Sequence, residues 1–335
     1  MQRKILIITD NTTDQVNGVV TTFKNIETFA FLDGYSILYL DPGKFLHFSC
    51  PGYPEVKLSL PWKIGKKIEE ISPDHIHIAT EGPIGLCARL YLDKRGYRYN
   101  TSYHTKFPEF LKHIFNVPLS LTYSYMKWFH KHSGKVLTTT PAMVEELKQH
   151  KIENTIPWTR GVNRDVLSPT KKRLKNRKPV LLSVGRVSKE KGLDDLIPLQ
   201  YEYDIKIVGD GPYRKELERK MPYAEFIGYK SGSDLANYYL QGDVLVFTSK
   251  VDTFGLVMIE AMSLGTPVAG YPVRGPIDIV SQNINGYLDD NLFTAVNKAL
   301  LIDREKVINS SAKWTWEECW NIFKQNLLTL NTKLN

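Results

Sequence analysis

Short apolar runs that end in polar or glycine residues recur along the whole chain, and the stretches between them read as helices. In the first half, KILIITD (4–10) reads as a buried strand, TTDQVNGVV (12–20) as a loop, and a helix is expected from about Thr21 to Leu32. SILYLD (36–41) and PDHIHIAT (73–80) are further strands. The second ends at Glu81-Gly82-Pro83, and IGLCARLYLDKRG (84–96) is the helix after it. YNTSYHT (99–105) is a short strand closing in a polar cluster. KVLTTTPAMVEELKQH (135–150) is strand, cap and helix, with Thr140 and Pro141 at the N-cap and N1 positions.

The same alternation begins again further on. PVLLSVG (179–185), DIKIVGDGP (204–212), AEFIGY (224–229), DVLVFTS (243–249) and TPVAGY (266–271) read as strands. YRKELERKM (213–221) and SDLANYYLQ (233–241) read as helices, and SAKWTWEECWNIFKQNLLTL (311–330) as a terminal one. Strands alternating with helices predict parallel sheets, so the fold class is α/β with two doubly wound units in tandem. Between them the pattern breaks at a basic stretch with two prolines, SPTKKRLKNRKP (168–179). The expected division is a first domain over 1–165, a linker over 166–178, a second domain over 179–318, and a final helix over 319–335 that packs back on the first. Such sheets bind ligands at the carboxyl ends of their strands, and two of them facing across a cleft place a site between them.

Composition narrows this picture without changing it. A length of 335 residues suits two domains of about 150 each. The apolar run at the N-terminus is too short for a secretion signal, and no stretch approaches the roughly 18 apolar residues of a membrane span. Three widely spaced cysteines, Cys50, Cys87 and Cys319, form no metal spacing and suggest a reducing compartment, so a cytoplasmic protein is expected. The formal net charge of +8 suits phosphate-bearing ligands, an anionic membrane surface or nucleic acid; a lysine-rich solvated surface accounts for it equally. Against nucleic acid, the basic residues are dispersed and match no recognised motif. Residues 105–135 interleave Lys106, Lys112, Lys127, Lys131 and Lys135 with Phe107, Phe110, Phe115, Tyr125, Trp128 and Phe129, and PWKIGKKI (61–68) adds Trp62 and three lysines. That pattern fits an anionic membrane interface, and it also fits amphipathic helices covering a sheet.

Three loops after strands of the second half carry candidate chemistry. VGRVSKEKG (184–192) places Arg186 and Lys191 five residues apart, a guanidinium fork and an ammonium that suit a diphosphate. VGDGP (208–212) holds Gly209 and Gly211 in a turn through which a ligand can approach the backbone. In DTFGLVMIEAMSLGTPVAG (252–270), the backbone of Thr253, Phe254, Gly255 and Leu256 opens a helix and forms an anion site. Glu260, one turn inside, is placed to accept from ribose hydroxyls, and Asp252, before the turn, from those of a bound sugar. The alternative is a helix-capping Asp252 and a structural Glu260. The Asp-Asp pairs at 194–195 and 289–290 read as surface features.

These residues resemble the retaining glycosyltransferases of family 4, which have the GT-B fold. The family's pattern is two acids separated by seven residues, with phenylalanine-glycine between them; its first acid is usually glutamate, where this chain has Asp252. VGRVSKEKG resembles the family's phosphate loop, with Arg186 and Lys191 as its cations, and IVGDGP and FIGY (226–229) resemble its base-binding turns, with Gly209 and Tyr229. NGVVTT (17–22) is similar to its glycine loop beneath the donor sugar, with Gly18 at the matching position. ATEGPIGLCAR (79–89) and SYHTKFPEFL (102–111) resemble a subgroup of lipid-directed mannosyl-, glucosyl- and sulfoquinovosyltransferases, with His104 as the active-site histidine. WTRGVNRDVLSP (158–169) is similar to the family's domain crossover, although Asn163 stands where aspartate is usual.

The resemblance implies transfer of a mannose- or glucose-type hexose, with retention, from a UDP- or GDP-linked sugar to a hydroxyl of a lipid or glycan. No metal and no cofactor beyond the donor substrate is implied. Arg186, Lys191 and the helix start at Gly255 stabilise the leaving diphosphate, which itself takes the acceptor's proton. No second carboxylate stands ready as a nucleophile. His104 contacts the donor sugar and shields the site, Gly18 leaves room for the sugar, and Glu81 and Lys106 fall on the acceptor side, where Glu81 equally suits a structural partner. The protein is then cytoplasmic or peripheral at the inner face of the membrane. A catalytically weakened homologue that keeps nucleotide-sugar binding, and a transferase acting on a soluble or nucleic-acid acceptor, are the other readings.

Overall fold

In a computed structural model of the chain, residues 2–14, 17–50, 53–173 and 178–330 are described, and everything below concerns those residues. The chain divides into two compact units, Met1–Arg160 together with Trp316–Asn335, and Gly161–Thr315. In chain order the first contains β1 (Arg3–Ile8), α1 (Gly18–Leu32), β2 (Tyr35–Leu40), β3 (Leu46–Cys50), β4 (Tyr53–Leu60), α2 (Ile64–Ile71), β5 (His75–Ile78), α3 (Pro83–Arg95), β6 (Asn100–Tyr103), α4 (Phe107–Phe115), α5 (Leu119–His130), β7 (Val136–Thr138), α6 (Pro141–Gln149) and β8 (Thr155–Pro157). The second contains β9 (Val180–Val184), β10 (Asp204–Val208), α7 (Arg214–Lys220), β11 (Glu225–Gly228), α8 (Gly232–Gln241), β12 (Val244–Phe247), α9 (Leu256–Ser263), β13 (Val268–Gly270), α10 (Pro276–Ile279), β14 (Gly286–Leu288), α11 (Leu292–Ala299) and α12 (Arg304–Ser310). The last helix, α13 (Trp316–Gln325), belongs to the first unit.

Each unit is built on a six-stranded parallel sheet. In the first the order is β2-β1-β5-β6-β7-β8, which reverses between β1 and β5. In the second it is β11-β10-β9-β12-β13-β14, which reverses between β9 and β12. Helices cover both faces of such sheets, and this is why the strands read as continuous apolar runs: Ile5, Leu6, Ile7 and Ile8 of β1 are fully buried. At a reversal the loops after two neighbouring strands diverge to opposite faces and leave a crevice at the carboxyl ends. Those two places are where the candidate residues have to be sought.

Several elements differ from the sequence reading. Helix α1 begins at Gly18, three residues before the expected Thr21, because the Asn17 side chain accepts from the N–H groups of Val19 and Val20 at 3.1 and 3.0 Å and caps the first turn. Of the loop expected before it, Gln15 and Val16 lie outside the described residues. The expected terminal helix over 311–330 is α13 alone, Trp316–Gln325. Ser311 is the C-cap of α12, and the turn after it leads into α13. Trp314 packs edge-on against Phe254 in the second unit, while Trp316 and Trp320 are buried in the first. The run pattern assigns no strand to 46–60, yet β3 and β4 form an antiparallel hairpin. Thr140 and Pro141 do cap and open α6, with the Thr140 hydroxyl accepting from Met143 N–H at 3.3 Å.

Of the expected linker, residues 174–177 lie outside the described residues. The part before them packs on the second unit: Leu167 enters its core, and the N–H groups of Thr170 and Lys171 donate to Asn237 Oδ1 at 2.9 Å. In the first unit, α13 packs on α1, with the Phe323 and Phe23 rings 5.9 Å apart and Trp320 Nε1 donating to Asp33 Oδ2 at 2.6 Å. Among the described residues no helix is long and apolar enough to cross a membrane.

Candidate functional site

In the second unit the reversal between β9 and β12 brings together residues 61 positions apart. The loop after β9 tightens into a turn at Lys189–Lys191, closed by Gly192. Thr248, at the end of β12, donates its hydroxyl to the Lys191 carbonyl at 2.7 Å and so ties the two loops. The Lys191 ammonium then lies 2.6 and 2.8 Å from the two carboxylate oxygens of Asp252. Both side chains are about a quarter exposed, so the pair faces outward from a firm base. Arg186 stands exposed on the same loop. After Asp252 come buried Thr253 and Phe254, then Gly255, the N-cap of α9 at φ +88°. Gly255 brings no side chain to cap this helix, and a helix start of this kind suits an anion.

Glu260 lies one turn into α9, half-buried. Its Oε2 accepts from the Tyr239 hydroxyl of α8 at 2.8 Å. Burial pushes the Glu260 carboxyl above its usual range, and the tyrosine bond pulls it back. Tyr239 is a supporting residue that the sequence reading missed; nothing in SDLANYYLQ distinguishes it from a core tyrosine. Gly209 and Gly211 were expected to admit a ligand to the backbone. The close approach they permit is to the chain itself: a Cβ at Gly209 would lie 1.8 Å from the Gly185 carbonyl oxygen, and one at Gly211 would lie 2.3 Å from that of Val187. The loops after β9 and β10 are knitted there, with Val187 N–H donating to Asp210 O at 2.9 Å and Tyr213 N–H to Val187 O at 3.0 Å. Tyr229, after β11, is largely exposed.

In the first unit the reversal between β1 and β5 places Asp10 beside Thr80 and the start of α3. Asp10 Oδ1 accepts from Ile84 N–H at 2.8 Å, and Oδ2 from the Thr80 hydroxyl at 2.7 Å. Burial raises its carboxyl while these bonds lower it. Sequence reading missed this role; Asp10 ends the first apolar run as any strand-terminating acid would. Gly18 opens α1 at the same end, and a Cβ there would meet nothing within 4 Å.

Glu81 is buried, 3.4 Å from His130 Nε2, and its carbonyl accepts from the Tyr125 hydroxyl at 2.7 Å. Burial raises its carboxyl against the pull of His130. Lys106 turns inward to Glu146 Oε2 at 3.1 Å. Both expected acceptor-side residues therefore have partners within their own unit.

His104 follows β6. Its Nδ1 lies 2.8 Å from Arg160 Nη2 and its Nε2 lies 2.7 Å from Ser102 Oγ. The rings of Phe23 and Trp158 stand 6.0 and 5.6 Å away. Burial, then the Arg160 charge, then His77 hold the imidazole well below its ordinary pKa, so it is neutral. Of the basic and aromatic stretch 105–135, Phe129 is fully buried, Tyr125 is bonded to Glu81, and Trp128 lies under the Arg89 guanidinium at 3.8 Å. Trp128 is nevertheless 42% exposed, and Lys112, Lys127, Lys131 and Lys135 stand exposed, so α5 buries one face and keeps cations on the other; the side chains of Phe110 and Phe115 lie outside the described residues.

Comparison with known proteins agrees with this arrangement. The model of "Glycosyltransferase Family 4" matches residues 31–166 and that of "Glycosyl transferases group 1" matches 167–301, so the two abut and run over most of the chain. A GDP-mannose-dependent alpha-mannosyltransferase of Corynebacterium glutamicum is 26% identical, over 94% of this chain and 81% of its own. The sulfoquinovosyl transferase SQD2 of Arabidopsis thaliana is 31% identical over 71% of this chain and 51% of its own length. Among solved structures, Anabaena Alr3699/HepE in complex with UDP superposes with a TM-score of 0.71 at 15% identity, over 96% of this chain and 98% of that one. With two Rossmann-like units and these matches, the chain belongs to the glycosyltransferases of family 4, with the GT-B fold.

Proposed function

We propose that the protein is a retaining hexosyltransferase that takes a UDP- or GDP-linked sugar and passes the hexose to a hydroxyl of a lipid or glycan, without a metal. The observation that carries this reading is the contact between Lys191 and Asp252 at the β9/β12 reversal, beside the start of α9 at Gly255. In a nucleoside diphosphate sugar the β-phosphate is bonded to the anomeric carbon, so phosphate oxygens and sugar hydroxyls lie a few atoms apart. A cation and an acid that touch each other have the spacing to serve both. Arg186 and the α9 N–H groups supply further positive charge for the diphosphate, and Glu260, held by Tyr239, supplies an acceptor for the ribose hydroxyls.

In the reaction the bond from the anomeric carbon to the β-phosphate oxygen breaks as the acceptor oxygen bonds to the same face of that carbon. The acceptor's proton passes to the departing phosphate. Negative charge grows on the leaving group, and preorganised cations and N–H groups stabilise it. His104 and Gly18 serve the sugar. The names of the mannosyltransferase and sulfoquinovosyl transferase relatives support a hexose-type donor, and the Anabaena complex with UDP supports a nucleotide.

A peripheral position on an anionic membrane belongs to the same proposal. Its support is the β3–β4 hairpin, where the exposed Leu46 and Leu60 are register partners and the exposed Phe48 and Trp62 extend the patch. Lys44, Lys63 and Lys66 stand exposed in the segments beside it.

Calorimetric titration with a panel of nucleoside diphosphates and their sugars, without added metal, tests the donor site. One nucleotide is expected to bind, and Arg186→Ala or Glu260→Ala to weaken it at least tenfold, roughly the loss of one charge-assisted contact. No binding across the panel overturns the transferase reading in favour of an inactive homologue.

A further inference from the structure

His104 has both ring nitrogens occupied, and the chemistry of its two partners decides where its proton lies. A guanidinium offers only N–H groups, so Arg160 donates and Nδ1 of His104 accepts, at 2.8 Å. The neutral ring then carries its proton on Nε2, and that N–H donates to Ser102 Oγ at 2.7 Å. The Ser102 hydroxyl passes its own proton onward, and His77 Nε2 lies 2.9 Å away, nearer than the 3.5 Å to the Ala79 carbonyl. The chain of donors runs one way, from Arg160 through His104 and Ser102 to His77.

The surroundings leave little freedom to reverse it. Ser102, His77 and Arg160 are each at most 3% exposed. Phe23, Trp158 and Phe323 wall the two imidazoles, with ring centroids 5.1–6.2 Å from them. Arg160 Nη1 is fixed by the carbonyls of Trp158 and Thr159 at 2.7 and 2.9 Å. Among the described residues, the titratable groups acting on this cluster are Arg160 itself, His77 from β5, and Cys319 from α13 against Arg160. Burial pushes the Cys319 thiol up to about 12, so it brings no negative charge. A second proton on His104 would set one cation 2.8 Å from another and remove the acceptor from Arg160.

We propose that Arg160, Ser102 and His77 are positioning residues that hold His104 in one neutral tautomer, Nδ1 accepting and Nε2–H donating, so that His104 stands beside the transfer reaction as a fixed, uncharged ring and takes no proton. The proposal rests on the reading of His104 as a group beside the donor sugar.

The test is nitrogen NMR of the full chain labelled with ¹⁵N-histidine. The expected result for His104 is an unprotonated Nδ1, a protonated Nε2, and no change between pH 8 and pH 5. Titration near the ordinary histidine value, or a proton on Nδ1, overturns the proposal. In kinetics, Ser102→Ala removes the acceptor of the Nε2–H and is expected to lower kcat on the order of tenfold with little change in donor KM, as a misplaced group does. Ser102→Thr keeps the hydroxyl and restores most of the rate. An unchanged kcat in Ser102→Ala overturns the positioning role. Should that variant fail to fold, the spectrum of the unmutated protein decides alone. Failure of the transferase reading would show instead as absent donor binding, with the tautomer still readable.

Discussion

A Cβ built on Gly209 would collide with the backbone of Gly185, while one built on Gly18 would meet nothing within 4 Å. The two glycines look alike in sequence, each beside a motif, and differ in what they exclude. Gly209 has φ +141°, so alanine there is strained as well as crowded. Gly209→Ala is expected to cost at least about 1–3 kcal/mol of stability and to weaken nucleotide binding with it, because the clash is with backbone that cannot rotate away. Gly18 has no left-handed φ and lies in the first turn of α1. Gly18→Ala is expected to leave the stability unchanged or to raise it by up to about 1 kcal/mol, and to lower transfer activity. Thermal melts and a transfer assay on both variants check this. Full activity in Gly18→Ala would sink the idea that this glycine leaves room for the sugar. Other residue-level facts could not be foreseen: the Asp252–Lys191 pair and the Tyr239–Glu260 bond each join residues far apart in sequence, and only the sheet order says that they meet.

At the scale of elements, two stretches set lysines beside large apolar or aromatic side chains. In 105–135, α5 turns Phe129 into the core and leaves Trp128 42% exposed between Lys127 and Lys131. The smaller group at 46–62 stays outside: Leu46 is 75% and Trp62 77% exposed. Helix α2 buries Ile64 and Ile68 and leaves Lys63 and Lys66 exposed, so its first turn sets cations next to the apolar side chains. Large exposed apolar groups flanked by lysines suit insertion at a lipid surface. Replacing Leu46, Phe48 and Trp62 together with serine is expected to reduce cosedimentation with anionic phospholipid vesicles at least tenfold. Their exposure means that the fold should survive, which circular dichroism would show. Equal sedimentation of variant and parent protein would remove the hairpin from the proposal.

For the molecule as a whole, buried histidines and buried carboxyls pull the response to acid in opposite directions. Burial lowers the His77 pKa to about 3. The unfolded chain therefore binds a proton near pH 6.5 that the folded chain refuses, so the His77 contribution is fully present above that value and falls as pH drops below it. Between pH 7 and pH 5 the loss is about 2 kcal/mol from this residue. Asp10, Glu81 and Glu260 act with the opposite sign, since burial raises their carboxyls and the folded state holds their protons more tightly. Comparing urea unfolding of the parent protein and His77→Gln at both pH values cancels those acids. The variant should show the shallower pH dependence, and equal slopes would mean that His77 is protonated in the folded chain.

The sequence by itself determined the two α/β units and the inner strands of both sheets, because strands covered on both faces must be apolar throughout and so announce themselves locally; the edge strands β8 and β14 and the β3–β4 hairpin escaped it. It also marked Arg186, Lys191 and Asp252 as candidates, since they lie in loops at strand ends, and Glu260 through its spacing from Asp252. Only the tertiary structure decided that Lys191 meets Asp252, that Lys106 turns to Glu146, that the glycines of VGDGP serve the chain's own packing, and that His104 is clamped between Arg160 and Ser102. Those facts depend on strand order and on which helix covers which face. Both are fixed by contacts between residues remote in sequence, about which local pattern carries no information.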